Sequence, residues 1–266
     1  PEMVTLKQLH DLSGRVAIIT GGTGHLGRAM AAALTELECT VLLIDRSREV
    51  LDSCARELQL DPANCFAVDL EADKARIDVA REIASRFDHV DILINNAAFV
   101  GDSGLSGWAT SFTEQSIETW RRALEVNLTA PFHLIQLLHP ILAKSGKASI
   151  INIGSIYGML GPDWSMYEGT SMANPAAYAA SKGGLIQLTR WLSTTLAPEI
   201  RVNSISPGGI GRGQPDSFVD KYEARTPLKR MGSEEDFLGI VAYLASDASA
   251  WVTGQNFAID GGWSAW

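Results

Sequence analysis

A tyrosine and a lysine four positions apart have the residue types needed for proton transfer. Tyr178 and Lys182 stand in the segment Tyr-Ala-Ala-Ser-Lys, and on a helix this spacing places both side chains on one face. A phenol ordinarily titrates near a pKa of about 10, but a neighbouring ammonium stabilises the phenolate and lowers that value. The pair is therefore a candidate general acid–base, and the lysine is also suited to hold the ribose hydroxyls of a nicotinamide nucleotide.

Further polar residues stand close to the ends of apolar runs. Ser155 follows an apolar run at 149–154, Asn127 lies in a helical stretch before it, and Asn95-Asn96-Ala97-Ala98 follows an earlier run. Sites of open parallel sheets form at the carboxyl ends of the strands. These residues are therefore candidates for the same site as Tyr178.

A glycine-rich turn joins the first predicted strand to an Ala-rich helix. Gly22, Gly24 and Gly27 form the pattern G-x-G-x-x-G, in which glycine permits a tight turn and close approach to a pyrophosphate at a helix N-terminus. The alternative is a glycine-rich turn that binds nothing. The candidate cofactor contacts here are Gly21, Thr23, Gly24, His25, Leu26 and Gly27.

The second predicted strand ends in an acid, Asp45. A carboxylate there accepts hydrogen bonds from the adenosine ribose and repels a 2′-phosphate, so it favours NAD. Arg46 follows directly and partly offsets that repulsion, which leaves NADP open. After the third strand, Asp69 and Leu70 are candidate adenine contacts, although an exposed helix cap is the equal alternative for Asp69.

Short β-branched runs alternate with amphipathic stretches of helical length. Nearly unbroken apolar strands indicate that helices cover both faces of a parallel sheet. An eight-stranded barrel needs one more strand–helix unit than the chain offers. The sequence predicts an α/β fold, a doubly wound parallel seven-stranded sheet (Rossmann fold) in a single domain over 1–266, with strands at 16–20, 41–45, 65–68, 91–94, 149–154, 201–205 and 256–259, and one long helix at 114–143.

Composition and charge exclude several classes of protein. The 266 residues carry 22 basic against 31 acidic side chains, a net charge of −9, which argues against nucleic-acid or anionic-membrane partners. No apolar run approaches a membrane span. Three scattered cysteines favour a reducing, cytoplasmic location over a disulfide framework, and no residue cluster predicts a metal site.

Taken together, these motifs resemble the short-chain dehydrogenase/reductase family over nearly the whole chain. In that family the tyrosine is the general acid–base, the serine binds the reacting oxygen, the lysine binds ribose, and an asparagine supports a proton relay. The resemblance gives these roles to Tyr178, Ser155, Lys182 and Asn127. It adds as cofactor contacts Asn96, Ala97, Ala98, Tyr178, Lys182, Pro207, Gly208 and Ile210.

Three departures from the family pattern matter. His25 shifts the glycine spacing toward that of the larger branch acting on nucleotide sugars. Ser155 precedes Tyr178 by 23 positions, more than is usual in the single-domain branch. The usual separation points to Ser165, but that residue lies in a loop, so we favour Ser155. Arg212 stands where the family usually places a threonine near the nicotinamide.

Three long segments flank the predicted site, at 99–113, 157–174 and 209–230. Trp108, Trp164, Tyr167 and Arg212 are the candidate substrate residues, together with Ser155. Aromatic faces beside polar groups suit a polyhydroxylated substrate, and the alternative is that the tryptophans only pack. The third segment is locally basic, which fits either an anionic sugar or a solvated helix face.

These features predict an NAD(P)-dependent oxidoreductase interconverting a secondary alcohol and a ketone on a sugar, sugar phosphate or polyol, with surface-polysaccharide synthesis as a candidate process. A 3-oxoacyl-thioester reductase and a non-catalytic NAD-binding sensor are the alternatives. Trp263 and Trp266 are expected to be interface or packing residues rather than catalytic ones, and the apolar carboxyl terminus that they form suggests burial against another subunit. The family resemblance implies a homotetramer or dimer.

Overall fold

Seven parallel strands, drawn from the whole length of the chain, form one sheet, as predicted. The structure is a computed structural model, and it describes residues 3–99 and 105–266. The strands lie in the order β3-β2-β1-β4-β5-β6-β7. They are β1 Val16–Thr20, β2 Thr40–Asp45, β3 Cys65–Ala67, β4 Ile92–Asn95, β5 Ala148–Ile153, β6 Ile200–Pro207 and β7 Asn256–Ile259.

Helices cover both faces of this sheet, because successive strand residues point to opposite sides. Ile18 belongs to one buried layer and its neighbour Ile19 to the other. Over the described residues the helices are α1 Leu6–Leu9, α2 His25–Glu36, α3 Arg48–Glu57, α4 Asp73–Arg86, α5 Ile117–Leu124, α6 Ala130–Ala143, α7 Ala176–Leu196, α8 Asp216–Arg225 and α9 Glu235–Ala245.

The predicted continuous helix over 114–143 is wrong in one respect. A π-helical segment, Glu125–Thr129, separates α5 from α6. π-turns interrupt the regular helix ladder and occur frequently at functional sites. Here the interruption contains Asn127.

The strand order reverses between β1 and β4, which pair through Ile19 and Ile94. Ligands of doubly wound sheets bind outside the carboxyl ends of the strands at such a reversal. The glycine-rich turn follows β1, and Asn95-Asn96 closes β4. The fold therefore gathers the predicted cofactor residues at this point. No helix among the residues described is both long and apolar enough to cross a bilayer.

Candidate active site

Tyr178 and Lys182 lie one turn apart near the start of α7. Pro175 precedes the helix in an extended conformation. Proline is tolerated at the start of a helix because the backbone N–H that it lacks would have no partner within the helix. The Lys182 Nζ donates a 2.7 Å hydrogen bond to the Ile153 carbonyl oxygen and lies 5.7 Å from the centre of the Tyr178 ring. Burial of Lys182 lowers its pKa to about 8.

Ser155 lies beside Tyr178, two residues beyond the end of β5. Burial raises the pKa of the Tyr178 phenol, and its interaction with the Ser155 hydroxyl lowers it, burial being the larger effect. The Ser155 Oγ also accepts a 3.1 Å hydrogen bond from the Tyr157 amide. Ser165 is exposed, and its hydroxyl donates to Asp163 at 2.7 Å.

Asn127 is buried and uses its amide to join three segments. Its Oδ1 accepts a 2.6 Å hydrogen bond from the Phe99 amide, and its Nδ2 donates to the Phe99 carbonyl oxygen at 3.4 Å. The same Nδ2 donates to the Ser181 Oγ at 3.0 Å. Asn127 is therefore held between the chain after β4 and helix α7, one turn from Tyr178.

The glycine-rich turn is shaped by close backbone contacts. A Cβ at Gly27 would lie 2.3 Å from the Gly21 carbonyl oxygen, and Gly21 itself has a φ of +61°. The Asn96 side chain donates to the Thr20 and Gly21 carbonyl oxygens at 3.1 and 3.0 Å. Helix α2 starts immediately afterwards at His25. A pyrophosphate fits this cradle, because only glycine leaves the backbone accessible beside a helix N-terminus.

Asp45 is joined directly to this turn. Its Oδ2 accepts hydrogen bonds from the Thr23 Oγ1 at 2.7 Å and the Thr23 amide at 3.1 Å, and its Oδ1 accepts from the Arg46 amide at 2.7 Å. Its carboxylate thus lies at the carboxyl end of β2, where an adenosine ribose fits the fold. Arg46 is exposed.

Asp69 forms a turn before α4, with its Oδ1 accepting from the Glu71 amide at 3.0 Å. This contact is a turn ahead of the helix and not the helix cap considered for Asp69, because the N-cap of α4 is Ala72. The turn includes the buried Leu70. On the other side of the site, Gly208 donates to the Ile259 carbonyl oxygen at 3.0 Å, and Ile210 forms an isolated bridge with Gly232. These contacts therefore hold the Pro207–Ile210 backbone in place.

The predicted substrate residues occupy different environments. Trp108 is buried, with its ring 5.1 Å from that of Phe99 in an edge-to-face contact. This contact fits the alternative in which Trp108 packs within the protein, and its role in substrate binding stays a prediction. Trp164 is 56% exposed, and the Tyr167 hydroxyl donates to the Tyr157 hydroxyl at 2.8 Å. Residues 100–104 of the first long segment lie outside the described residues.

An apolar cavity of about 310 Å³ adjoins Trp108, Trp120 and Pro175. Ser155, Tyr178 and Lys182 are absent from its lining among the residues described. We therefore do not assign the reaction to this cavity.

The basic side chains of the third segment are engaged within the protein. Arg212 pairs with Glu234 at 2.5 Å, and Arg230 pairs with Asp236 at 2.6 Å. Arg225 pairs with Asp163, and Lys221 donates to the Ser165 carbonyl oxygen at 2.8 Å. Helix α8 is thereby tied to the second long segment, and the local positive charge is largely neutralised.

Trp263 packs within its own chain, which is one of the two roles expected for it. It is buried in its own chain, stacked on Tyr222 with ring centres 4.4 Å apart and covered by the Arg225 guanidinium at 4.5 Å. Trp266 is 73% exposed. Of the two aromatic residues at the carboxyl terminus, Trp263 therefore packs internally and Trp266 lies on the surface.

Comparison with known proteins extends over almost all of this arrangement. A family model described as "Enoyl-(Acyl carrier protein) reductase" matches residues 23–264. The 3-oxoacyl-[acyl-carrier-protein] reductase of Thermotoga maritima is 31% identical and aligns over 94% of this chain and 98% of its own length. The chain belongs to the short-chain dehydrogenase/reductase family.

Solved structures of this family share its fold. A short-chain dehydrogenase from Leptospira borgpetersenii with bound NAD+ superposes with a TM-score of 0.83 at 31% identity, over 99% of this chain and 98% of its own. A Beutenbergia cavernae protein assigned as an NAD(P)-dependent gluconate 5-dehydrogenase, with bound NADP, gives 0.85 at 30% identity, over 97% and 100%. The present short-chain dehydrogenase/reductase is accordingly an oxidoreductase that uses a nicotinamide cofactor.

Sequence reasoning missed several partners of the site residues. The Ile153 carbonyl oxygen holds Lys182, the Phe99 backbone holds Asn127, and Ser181 links Asn127 to α7. Two of these partners are backbone groups, which carry no residue-type signal. Ser181 was visible in the Tyr-Ala-Ala-Ser-Lys segment, but nothing in the spacing indicated that it meets a residue 54 positions away.

Proposed function

We propose that this short-chain dehydrogenase/reductase interconverts a secondary alcohol and a ketone on a neutral sugar or polyol, with NAD as its preferred cofactor. The observation that carries the proposal is the placement of Ser155, Tyr178 and Lys182 together at the carboxyl end of β5. When bound, the nicotinamide ring supplies the hydride chemistry, and the protein supplies orientation and the proton.

Each catalytic group has a distinct task in this proposal. The Ser155 hydroxyl hydrogen-bonds the reacting oxygen, and the Tyr178 hydroxyl gives a proton to that oxygen in reduction or takes one in oxidation. Protonated Lys182 favours the phenolate of Tyr178 electrostatically. Asn127, fixed by Phe99 and Ser181, supports a proton relay behind the tyrosine.

The preference for NAD rests on Asp45. Its carboxylate is held next to the glycine-rich turn by Thr23, where it would lie close to a 2′-phosphate. Like charges at short range in a half-buried site oppose binding. The exposed Arg46 is adjacent, so the preference is relative rather than absolute.

The choice of a neutral substrate rests on the pairing of the nearby basic side chains. Because Arg212, Arg225 and Arg230 each have a carboxylate partner, binding an anion through them would require breaking ion pairs. Trp164, Tyr157 and Tyr167 offer aromatic faces and hydroxyls, which suit a polyhydroxylated ligand. The likeness to a protein assigned as a gluconate 5-dehydrogenase supports a polyhydroxylated substrate but not its neutrality, because gluconate carries a carboxylate.

A 3-oxoacyl-thioester reductase is the second candidate, favoured by the 31% identity to the Thermotoga maritima enzyme. An assay following absorbance at the reduced nicotinamide wavelength separates the two candidates. The panel contains neutral polyols and sugars, sugar phosphates and acyl thioesters, each with NADH or NADPH and the oxidised forms. Faster turnover of a neutral polyol with NAD is expected, and faster turnover of an acyl thioester with NADPH would contradict the proposal.

We also propose a cytoplasmic homo-oligomer, a tetramer or dimer. Trp251 is fully exposed, Trp191 on α7 is 57% exposed and Trp266 is 73% exposed, and large exposed apolar side chains mark association surfaces. The three cysteines are buried and free, as suits a reducing compartment. Light scattering should give a mass of two or four chains, whereas a monomer would refute the association.

A further inference from the structure

Two arginines connect the turn after β3 to helix α5 and to the π-helical segment that contains Asn127. Arg122, near the end of α5, donates from Nε and Nη2 to the two carboxylate oxygens of Glu71 at 2.8 and 3.3 Å. Such a bidentate pair fixes orientation as well as distance. The Glu71 amide donates a hydrogen bond to the Asp69 Oδ1, so the pair joins α5 directly to the turn at 69–71.

Arg76 makes the second connection from within the protein interior. Its side chain is 1% exposed. It donates to the Leu70 carbonyl oxygen at 2.5 Å, to the Glu125 carboxylate at 2.8 Å and to the His133 Nδ1 at 3.0 Å, and it pairs with Asp73. Glu125 is the first residue of the π-helical segment, two positions before Asn127. A guanidinium this buried requires such partners on every side.

The Arg122 side chain also reaches the chain segment that holds Asn127. Its guanidinium lies over the Phe99 ring, 5.0 Å from the ring centre, a cation–π geometry. The Phe99 backbone in turn binds both ends of the Asn127 amide. A continuous set of contacts therefore runs from Glu71 through Arg122 and Phe99 to Asn127.

We propose that Arg122 with Glu71, and Arg76 with Glu125, are positioning residues that couple the adenosine end of the cofactor to the catalytic asparagine. Adenosine bound at Asp69–Leu70 orders the turn, and the turn holds the two arginine side chains. The arginines in turn fix the positions of the π-helical segment and Phe99. Contact with the adenosine moiety then increases the turnover rate in addition to affinity. The inference rests on the proposed roles of Leu70 and Asn127.

The test uses a divided cofactor, reduced nicotinamide mononucleotide with and without AMP, on the full chain. In the wild type, AMP should raise the rate constant at saturating mononucleotide by about three- to tenfold, the size typical of coupling between sites. Glu71→Gln should abolish most of that stimulation, and with the intact dinucleotide it should lower kcat by a similar factor. No stimulation in the wild type, or equal stimulation in the variant, would overturn the proposal.

Four further variants separate coupling from simple destabilisation. Glu82→Gln makes the same chemical change on the exposed face of α4, where Glu82 pairs with Arg86 at 3.8 Å, and should keep full stimulation. The charge exchange Glu71→Arg with Arg122→Glu should recover part of what Arg122→Glu alone loses, and failure to recover counts against a direct pair. Glu125→Gln tests the Arg76 connection without removing the buried arginine, and it should also reduce the stimulation.

The Asn127→Ala variant distinguishes failure of the coupling from failure of the proposed function. If Asn127→Ala leaves kcat unchanged, the catalytic role of Asn127 is wrong and the coupling proposal fails with it. If Asn127→Ala lowers kcat while Glu71→Gln and Glu125→Gln do not, only the coupling proposal fails.

Discussion

The Lys182 ammonium and the Ile153 carbonyl oxygen are 2.7 Å apart and hydrogen-bonded. This bond joins α7 to the last residue of β5, two positions before Ser155. It therefore sets the catalytic helix against the strand end that carries the serine. Because Lys182 is 2% exposed, the loss of this contact would leave a buried charge without its acceptor.

Tyr178→Phe removes the proposed proton carrier and keeps the ring. Turnover should fall by about 10²- to 10⁴-fold, the usual contribution of general acid–base catalysis. Cofactor affinity, measured by fluorescence titration, should stay close to that of the wild type. Retained turnover would remove Tyr178 from the mechanism.

Ser155→Ala and Ser165→Ala compare the two candidate serines. We expect Ser155→Ala to lower kcat by about 10²- to 10³-fold, because a donor positioned at the reacting oxygen is lost. Ser165→Ala should leave kcat nearly unchanged, since the Ser165 hydroxyl is exposed and engaged by Asp163. A larger loss at position 165, measured on the same substrate, would refute the choice of Ser155.

Lys182 should make the stability of the cofactor-free protein depend on pH. Its pKa is lowered from 10.5 to about 8 in the folded state. Between these two values the unfolded chain binds more protons than the folded protein, so the free energy of unfolding increases as the pH rises. From pH 7 to 9.5, wild type should gain about 2 kcal/mol relative to Lys182→Met.

Urea unfolding of both proteins at the two pH values measures this difference, and the subtraction removes contributions from other groups. The buried thiols Cys39, Cys54 and Cys65 have raised pKa values, and they act in the opposite direction in both proteins. An unchanged difference would mean that folding does not lower the pKa of Lys182, so that the buried side chain stays charged over this pH range as it does in the unfolded chain.

Gly27→Ala places a methyl group against the glycine-rich turn. With the new Cβ 2.3 Å from the Gly21 carbonyl oxygen, the backbone must move, and we expect a loss of about 1–3 kcal/mol in stability together with weaker cofactor binding. Gly239→Ala, on α9 with no atom within 4 Å of its Cβ, should instead gain up to about 1 kcal/mol from helix propensity. Thermal unfolding and cofactor titration of the two variants provide the comparison.

Asp45→Asn removes the charge at the end of β2 and keeps an oxygen able to accept from Thr23. The ratio of kcat/KM for NADP to that for NAD should rise by about tenfold or more, because a like-charge repulsion is lost. Steady-state kinetics with both cofactors measures the ratio. If it stays constant, Asp45 does not discriminate between the two.

The sequence alone determined the sheet and most of the helices around it. Apolar β-branched runs such as Val16–Thr20 are buried on both faces, and this local pattern is sufficient to place strands to within a residue or two. The Gly-rich turn and the Tyr–Lys spacing were equally readable, because each depends on residues close together in the chain.

Only the tertiary structure decided which distant groups meet. The π-helical interruption at Asn127, the internal packing of Trp108 and Trp263, and the pairing of Arg225 with Asp163 all depend on segments far apart in sequence. A tryptophan or arginine has the same local signal whether it contacts a ligand or its own chain. The packing of α7 against the sheet, of α5 against α7 and of α8 against the second long segment settles that difference, because it brings those side chains to particular partners.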